Sequence, residues 1–274
     1  MQVCSDRSRD ALILIKAPPA CDKRAAMPRR QSTQNLDLAQ IRTACSTCSL
    51  HELCLPAGLD NEEMERVDHL VKLRRRVKRG EYLYRAGTPL DSLFAVRSGF
   101  LKSCVVYEDG REQVTAFHMM GEVVGLDAIS QEKHTCDTVA LEDSEMCEIP
   151  FGRLEELTRD IPSLQRHFHR MMSREIVRDH GVMLLLGSMR AEERIATFLT
   201  GLSQRFASRG YSAQEFHLRM TREEIGSYLG LTLETVSRVF SRFQDEGYIE
   251  VHNRHIRILD VARLRALVGQ PSQE

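Results

Sequence analysis

Pro162 divides this chain into two kinds of pattern, and no single structural layer satisfies both. From about Leu73 to Ile149, short runs rich in Val, Leu, Tyr and Phe alternate with glycine turns. Gly80-Glu-Tyr-Leu-Tyr-Arg-Ala-Gly87 is one run, Leu93–Gly99 the next, then Leu101–Tyr107, and Glu112–His118 after the turn Glu108-Asp-Gly-Arg111. Such spacing predicts an antiparallel sandwich or barrel. Beyond Pro162, Ser163 is placed to cap a helix that runs to about Ser188 without another proline. Along it His169, Met172, Ile176, Asp179, Met183 and Leu186 recur at intervals of 3, 4, 3, 4 and 3, the period of a coiled-coil seam. A helix of ~26 residues is about 39 Å long, more than a small β-domain covers. The stripe is therefore expected to meet a second copy of itself, a homodimer, rather than only its own domain. In a symmetric parallel pair the Asp179 carboxylate would approach its own copy, and like charges at close range push helices apart. An Asp179 turned slightly outward into solvent is equally compatible with the spacing.

The C-terminal third carries a second construction. After a connecting helix from about Glu192 to Ser208, Thr221-Arg-Glu-Glu224 forms a capping box that opens a helix with Ile225, Tyr228 and Leu229 on its apolar face. Gly230 permits a tight turn, Thr232 caps another helix running to about Glu246, and Gly247 stops it. Tyr248–Val251 and His255–Leu259 read as two strands around Asn253-Arg254. This is a winged helix-turn-helix, so the expected partner is double-stranded DNA. Glu234, Ser237 and Arg238 fall at i, i+3 and i+4 and share one face. Such a triplet suits the major groove: Arg can donate twice to guanine, Glu can accept from cytosine, and Ser can bond either a base or a phosphate. Thr221 and Thr235 would suit phosphates. An ordinary solvated helix face would also show these residues. The two caps, the Gly230 turn and the wing favour DNA reading.

Charge does not carry that conclusion. The net charge is −1, and Thr221–Leu259 holds five Arg against six Asp or Glu. Nucleic-acid binding needs only a local basic face. Hydrophobic residues at 42% and charged residues at 28% describe a soluble globular protein. No apolar run approaches ~18 residues, so no membrane span is expected. Ala11-Leu-Ile-Leu-Ile15 is too short for a secretory segment, which favours a cytoplasmic protein. No nucleophile–base set is evident, so an enzyme is the least favoured class. Residues 1–40, with Ala17-Pro-Pro-Ala20 and Pro28-Arg-Arg-Gln-Ser, are expected to be poorly ordered, and Met27 is an alternative start.

Eight cysteines in a cytoplasmic chain point to metal or redox chemistry rather than structural disulfides. Cys45-Ser-Thr-Cys48-Ser-Leu-His-Glu-Leu-Cys54 places three thiols within ten residues, able to converge on one metal. A fourth ligand must come from elsewhere, with Cys147, Cys136, Cys104 and His51 as candidates. Thiolates suit both zinc and iron–sulfur clusters, and spacing separates neither of them from unliganded redox thiols.

Together these residues resemble the FNR class of the CRP/FNR superfamily of bacterial regulators. The resemblance runs from about Cys45 to Val268. It rests on Cys45-Ser-Thr-Cys-Ser-Leu-His-Glu-Leu-Cys-Leu-Pro56, Phe94-Ala-Val-Arg-Ser-Gly99, Met146-Cys-Glu-Ile-Pro-Phe151, Ala191-Glu-Glu-Arg194 and Leu231–Arg238. It implies an α+β fold: a cyclic-nucleotide-binding-like β-roll, a long dimerisation helix and a winged helix-turn-helix. The matching divisions are a cluster-binding loop and β-roll over 41–162, the dimerisation helix over 163–188 and the DNA-binding domain over 189–274. The resemblance also implies one [4Fe-4S] cluster per subunit, held by Cys45, Cys48, Cys54 and Cys147, with Cys147 chosen because it stands directly before Glu148-Ile-Pro150. Oxygen would destroy the cluster and release the dimer. Met172, Ile176, Asp179, Met183 and Leu186 would form the dimer interface, with Asp179 opposing and Ile176 favouring it. Leu53 would shield the cluster and Ser49 tune oxygen access. Glu234, Ser237 and Arg238 would read a palindromic TTGAT…ATCAA site, with RNA polymerase as a further partner. The alternative within the class is a regulator with a structural zinc or a nitric-oxide-sensing site.

One departure is informative. A cyclic-nucleotide pocket normally holds the phosphate with an Arg-Ser pair, and no arginine lies between Arg111 and Arg153 here. Cyclic nucleotide is therefore not expected as the effector, which also weighs against a cyclic-nucleotide-binding enzyme subunit or channel module. Cys4, Cys21, Cys104 and Cys136 have no role in the family pattern.

Overall fold

The computed structural model describes residues 45–71 and 73–268. The extension over residues 1–40, with Cys4, Cys21 and Met27, lies outside the described residues.

A short 3-10 turn at Cys45–Thr47 opens the described chain, and α1 (Asn61–Leu70) follows. Asp60 and Glu63 cap α1 reciprocally, so its start is written locally. Eight strands come next: β1 (Leu73–Val77), β2 (Tyr82–Tyr84), β3 (Ser92–Ser98), β4 (Phe100–Val106), β5 (Glu112–Met119), β6 (Val123–Val124), β7 (Asp137–Ala140) and β8 (Ser144–Pro150). They pair antiparallel into two four-stranded sheets, ordered β1-β8-β3-β6 and β2-β7-β4-β5. Both sheets supply the core between them, with Val77, Phe94, Val96, Val124 and Met146 from one and Leu83, Tyr84, Leu101 and Ala140 from the other. Gly99 lets the chain pass between sheets: its φ is +97°, and a Cβ there would stand 2.1 Å from the Ser144 hydroxyl oxygen.

The helical half begins with α2 (Phe151–Asp160) and α3 (Pro162–Ser188). The expected capping role of Ser163 is corrected by the structure. Pro162 is the first helical residue and no side chain caps the preceding Ile161, while the Ser163 hydroxyl donates to Glu63. A proline at this position lacks an N–H that would have been unsatisfied anyway, so the helix starts earlier without a cap. One face of α3 buries Leu164, His167, Met171 and Leu185. The predicted seam lies on another: Ile176 is 56% exposed, Met183 65% and Leu186 37%, Asp179 is exposed, and Met172 is half-buried. No described helix is long and apolar enough to cross a membrane.

The remaining elements are α4 (Ala191–Ala207), β9 (Glu215–His217), α5 (Arg222–Leu229), α6 (Leu233–Asp245), β10 (Ile249–His252), β11 (His255–Ile258) and α7 (Val261–Leu267). β10, β11 and β9 form a small antiparallel sheet. α4 packs on α6 and α7 around Ile195, Leu199, Leu202, Ile225, Val236, Phe240 and Phe243. The sequence patterns anticipated β2 to β5, the wing strands β10 and β11 and the four helices α3 to α6. They named no separate run for α1, α2, β1, β6 to β9 or α7, most of which are too short to show a period.

Candidate metal centre and nucleic-acid interface

The cysteine segment is a chain of tight turns. Cys48 N donates to Cys45 O at 3.0 Å, His51 N to Cys48 O at 3.2 Å, Cys54 N to Leu50 O at 3.0 Å and Ala57 N to Cys54 O at 3.1 Å. Its beginning is pinned by Asp68 of α1, which accepts from the Cys45 backbone N–H and from the Ser46 hydroxyl at 2.9 Å. β8 brings the fourth cysteine from a hundred residues away. Cys147 is registered between Arg74 of β1 and Ala95 of β3. Cys45, Cys48, Cys54 and Cys147 all line one small cavity of about 30 Å³, closed by Leu55, Pro56, Val67, Val71, Ala95 and Ile149.

The other candidate ligands are elsewhere or occupied. Cys104 sits in β4, and Cys136 lies in the core between the sheets with its thiol toward Asp127 at 3.6 Å. His51 does line the cavity, but Nδ1 is 2.8 Å from the Cys48 carbonyl and Nε2 is 2.9 Å from the Glu52 carboxylate. Leu55, not Leu53, lines the cavity. Leu53 instead packs toward Gly121, and Ser49 is exposed. Burial raises the thiol pKa of Cys45 and Cys147 and pushes that of Cys54 up to about 12, each further raised by a neighbouring cysteine. Thiols in such a place stay protonated unless a cation displaces the proton.

Among the described residues, no group of three or more His, Cys, Asp or Glu stands in metal-ligating geometry. The donor set nonetheless fits a soft metal centre: four thiols on one apolar cavity, with no carboxylate among its lining residues. The cavity itself is smaller than a cubane cluster, so the thiols must open outward to hold one.

At the other end, Thr221 Oγ1 accepts from Glu224 N at 3.1 Å while Thr221 N donates to the Glu224 carboxylate at 2.7 Å. Thr232 Oγ1 accepts from Thr235 N at 3.2 Å and caps α6. The α5–α6 turn is close-fitting: Gly230 has φ +62°, and a Cβ on Gly226 would meet the Leu231 carbonyl oxygen at 2.6 Å. α6 buries Val236, Val239, Phe240 and Phe243, which leaves Glu234, Ser237 and Arg238 exposed together on its opposite face. The Arg238 guanidinium lies 3.2 Å from Thr235 Oγ1. The wing turns at Asn253, φ +57°. One surface thus combines a capped helix, an exposed polar triplet near its N-terminus and a β-hairpin.

Two contacts unanticipated from sequence tie this surface to the rest of the chain. Arg194 donates to the carbonyls of Leu186 at 2.8 Å, Met189 at 2.9 Å and Leu229 at 2.9 Å, joining the end of α3 to the end of α5. Ser227 of α5 accepts from Val114 N at 2.8 Å and donates to Glu112 O at 3.1 Å, docking α5 on β5. A third node is Glu122, between β5 and β6. It pairs with Arg205 of α4 and with Arg209 just beyond its end, both at 2.7 Å, and faces Arg178 of α3 at 3.6 Å. These arginines hold its carboxyl down at about 2 despite burial. Single polar residues of this kind carry no periodic signal.

Comparison with known proteins agrees with this geometry. The chain matches the Crp-like helix-turn-helix domain over residues 193–267 and the cyclic nucleotide-binding domain over residues 74–160. It is 51% identical over 225 residues to the transcriptional activator protein anr of Pseudomonas aeruginosa, covering 82% of this chain and 92% of that protein. It is 50% identical over 231 residues to the transcriptional activator protein FnrA of Stutzerimonas stutzeri, covering 84% and 95%. In three dimensions it resembles FixK2 of Bradyrhizobium japonicum, with a TM-score of 0.68 at 32% identity over 73% of this chain and 98% of that one.

Proposed function

The chain belongs to the FNR class of the CRP/FNR family of transcription regulators, and we propose that it reports oxygen to DNA through a [4Fe-4S] cluster held by Cys45, Cys48, Cys54 and Cys147. It is a DNA-binding regulator, not an enzyme. The observation that carries the proposal is the arrival of four cysteines, from the turn segment and from β8, on one apolar cavity. When bound, the cluster supplies a centre that oxygen destroys.

The rest is done by the chain's own residues. Leu55 and Pro56 exclude water from the thiols. The turn segment is held to α1 by Asp68, and α1 and β8 pack with Leu164 and Met171 of α3 in one core. Loss of the cysteine ligation therefore loosens the support of α3. Met172, Ile176, Met183 and Leu186 offer an apolar stripe to a second copy, and Asp179 within it opposes pairing. Assembly of the helix pair sets two α6 helices at the spacing of a two-fold DNA site. Glu234, Ser237 and Arg238 then read the bases of a TTGAT…ATCAA-type palindrome. Thr221 accepts its capping bond and keeps its own proton to donate to a phosphate, and Thr235, in the first turn of α6, takes the same role. DNA-bound dimers act on RNA polymerase.

Cyclic nucleotide is not the effector. The cavity between β-roll and α3, about 440 Å³, is lined by Asp127, Glu175 and Asp179 and by no lysine or arginine. An anionic phosphodiester would meet only like charge there.

Anaerobic purification tests the proposal. About four iron and four sulfide per chain are expected, with DNA binding lost on exposure to air. Stoichiometric zinc without iron would overturn it.

A further inference from the structure

A second feature beside the cysteine segment does not belong to the thiol cavity. A groove of about 550 Å³ runs between the turn after Cys54 and the outer flank of α3, lined by Ala57, Gly58, His167, Arg170, Ser173 and Arg174. No carboxylate lines it. Arg170 and Arg174 are exposed one turn apart, and neither has an ion pair or hydrogen bond among the described residues. Other arginines near it are engaged: Arg66 by Asp160, Arg178 by Glu175, Arg205 and Arg209 by Glu122.

His167 adds an independent observation. Its side chain is 8% exposed, and its Nε2 is buried without a hydrogen-bond partner. A buried nitrogen left unpaired is destabilising, so its place beside this groove calls for a ligand atom. The Cys54 backbone favours a proton on the ring, and with Nε2 unpartnered that proton falls on the other nitrogen. In the neutral ring that assignment leaves Nε2 as an acceptor. The groove therefore presents two free guanidinium groups, the Ser173 hydroxyl and one buried acceptor. The first three suit the oxygens of an anion. The last suits a hydrogen that the anion itself carries.

We propose that this groove binds a small oxoanion bearing its own hydroxyl, hydrogenphosphate or hydrogencarbonate, gripped by Arg170 and Arg174 and donating to His167 Nε2. Sulfate has the charge and shape of hydrogenphosphate without the proton and lacks the last contact. A bound anion bridges the turn at Ala57–Gly58 to α3. The site is built from protein residues alone, so it stands or falls separately from the cluster.

The test is calorimetric titration of the full-length protein, purified anaerobically, with inorganic phosphate, hydrogencarbonate and sulfate in turn. Saturable binding of either hydroxyl-bearing anion, at least about tenfold tighter than sulfate, is expected; charge-assisted bonds carry that much discrimination. Whichever of the two binds more tightly is the ligand. Arg170→Ala and Arg174→Ala should each weaken binding about tenfold, whereas Arg166→Ala, exposed outside the groove, should not. His167→Gln retains an acceptor oxygen and should keep part of the preference over sulfate. His167→Leu should erase that preference while the arginines still hold either anion weakly. Absence of saturable binding by both hydroxyl-bearing anions, or equal binding of sulfate by the unsubstituted protein, overturns the proposal.

Discussion

The cysteine cavity and the winged helix-turn-helix are built on opposite plans. The helix-turn-helix is assembled from neighbours: caps at Thr221 and Thr232 bond residues three positions away, and Gly226 meets Leu231 across one turn. The cavity is assembled from strangers, because Cys147 reaches Cys45, Cys48 and Cys54 only after the whole β-roll has formed. A site made of local bonds should lose function in increments. A site made by convergence should lose it at once, because each contributor depends on the fold that delivers the others.

The largest expected effect tests that contrast directly. Cys147→Ala should abolish both iron retention and DNA binding, while Cys136→Ala spares both, read by anaerobic iron analysis and gel shift. A Cys147→Ala protein that keeps its iron would break the comparison. Next comes acid stability of the β-roll that performs the delivery. Burial lowers the His118 pKa from 6.5 to about 3, so the unfolded chain takes up this proton first as pH falls. Stability is then lost between pH 6.5 and 3, by about 2 kcal/mol at pH 5, measured by denaturant titration. Burial also lowers the pKa of His167, so the difference from His118→Gln, which should flatten the slope, isolates the His118 share. Asp179→Ala removes one like-charge contact of about 1 kcal/mol at ~4 Å in water, and should tighten dimerisation in air about fivefold by sedimentation. An unchanged monomer fraction removes the charge gate. Smallest is Thr232→Ala, about 0.5–1 kcal/mol by thermal melting. A complete loss of folding there would show the helix-turn-helix to be less incremental than its local bonds imply.

The same contrast explains what could be read from sequence. Caps, the Gly230 turn and the apolar face of α6 each occupy a window of a few residues, so the winged helix was legible from bonding rules alone. The three clustered cysteines were legible as thiols able to converge on one place. The choice of Cys147 over Cys104 and Cys136 was not, because spacing says nothing about which strand faces α1; only family resemblance selected it. Ser163 looked like a cap and was displaced by the proline before it. Leu53 was read as a shield; the structure sets it against Gly121, while Leu55 lines the thiol cavity. Arg194, Ser227 and Glu122 were invisible as connectors, since a single side chain that bridges elements has no period and no motif beyond itself.

Arg194 has one further consequence. Its guanidinium spends its reach on three carbonyls, two at the end of α3 and one at the end of α5. Such a grip works like a gear tooth between two shafts. If α3 rolls against its neighbour, α5 has to turn with it, and α6 swings at the far end of the lever. The two reading heads of a pair would then change separation more than the seam itself moves. In the pair proposed above, the spacing of the half-sites would then be read along with their bases.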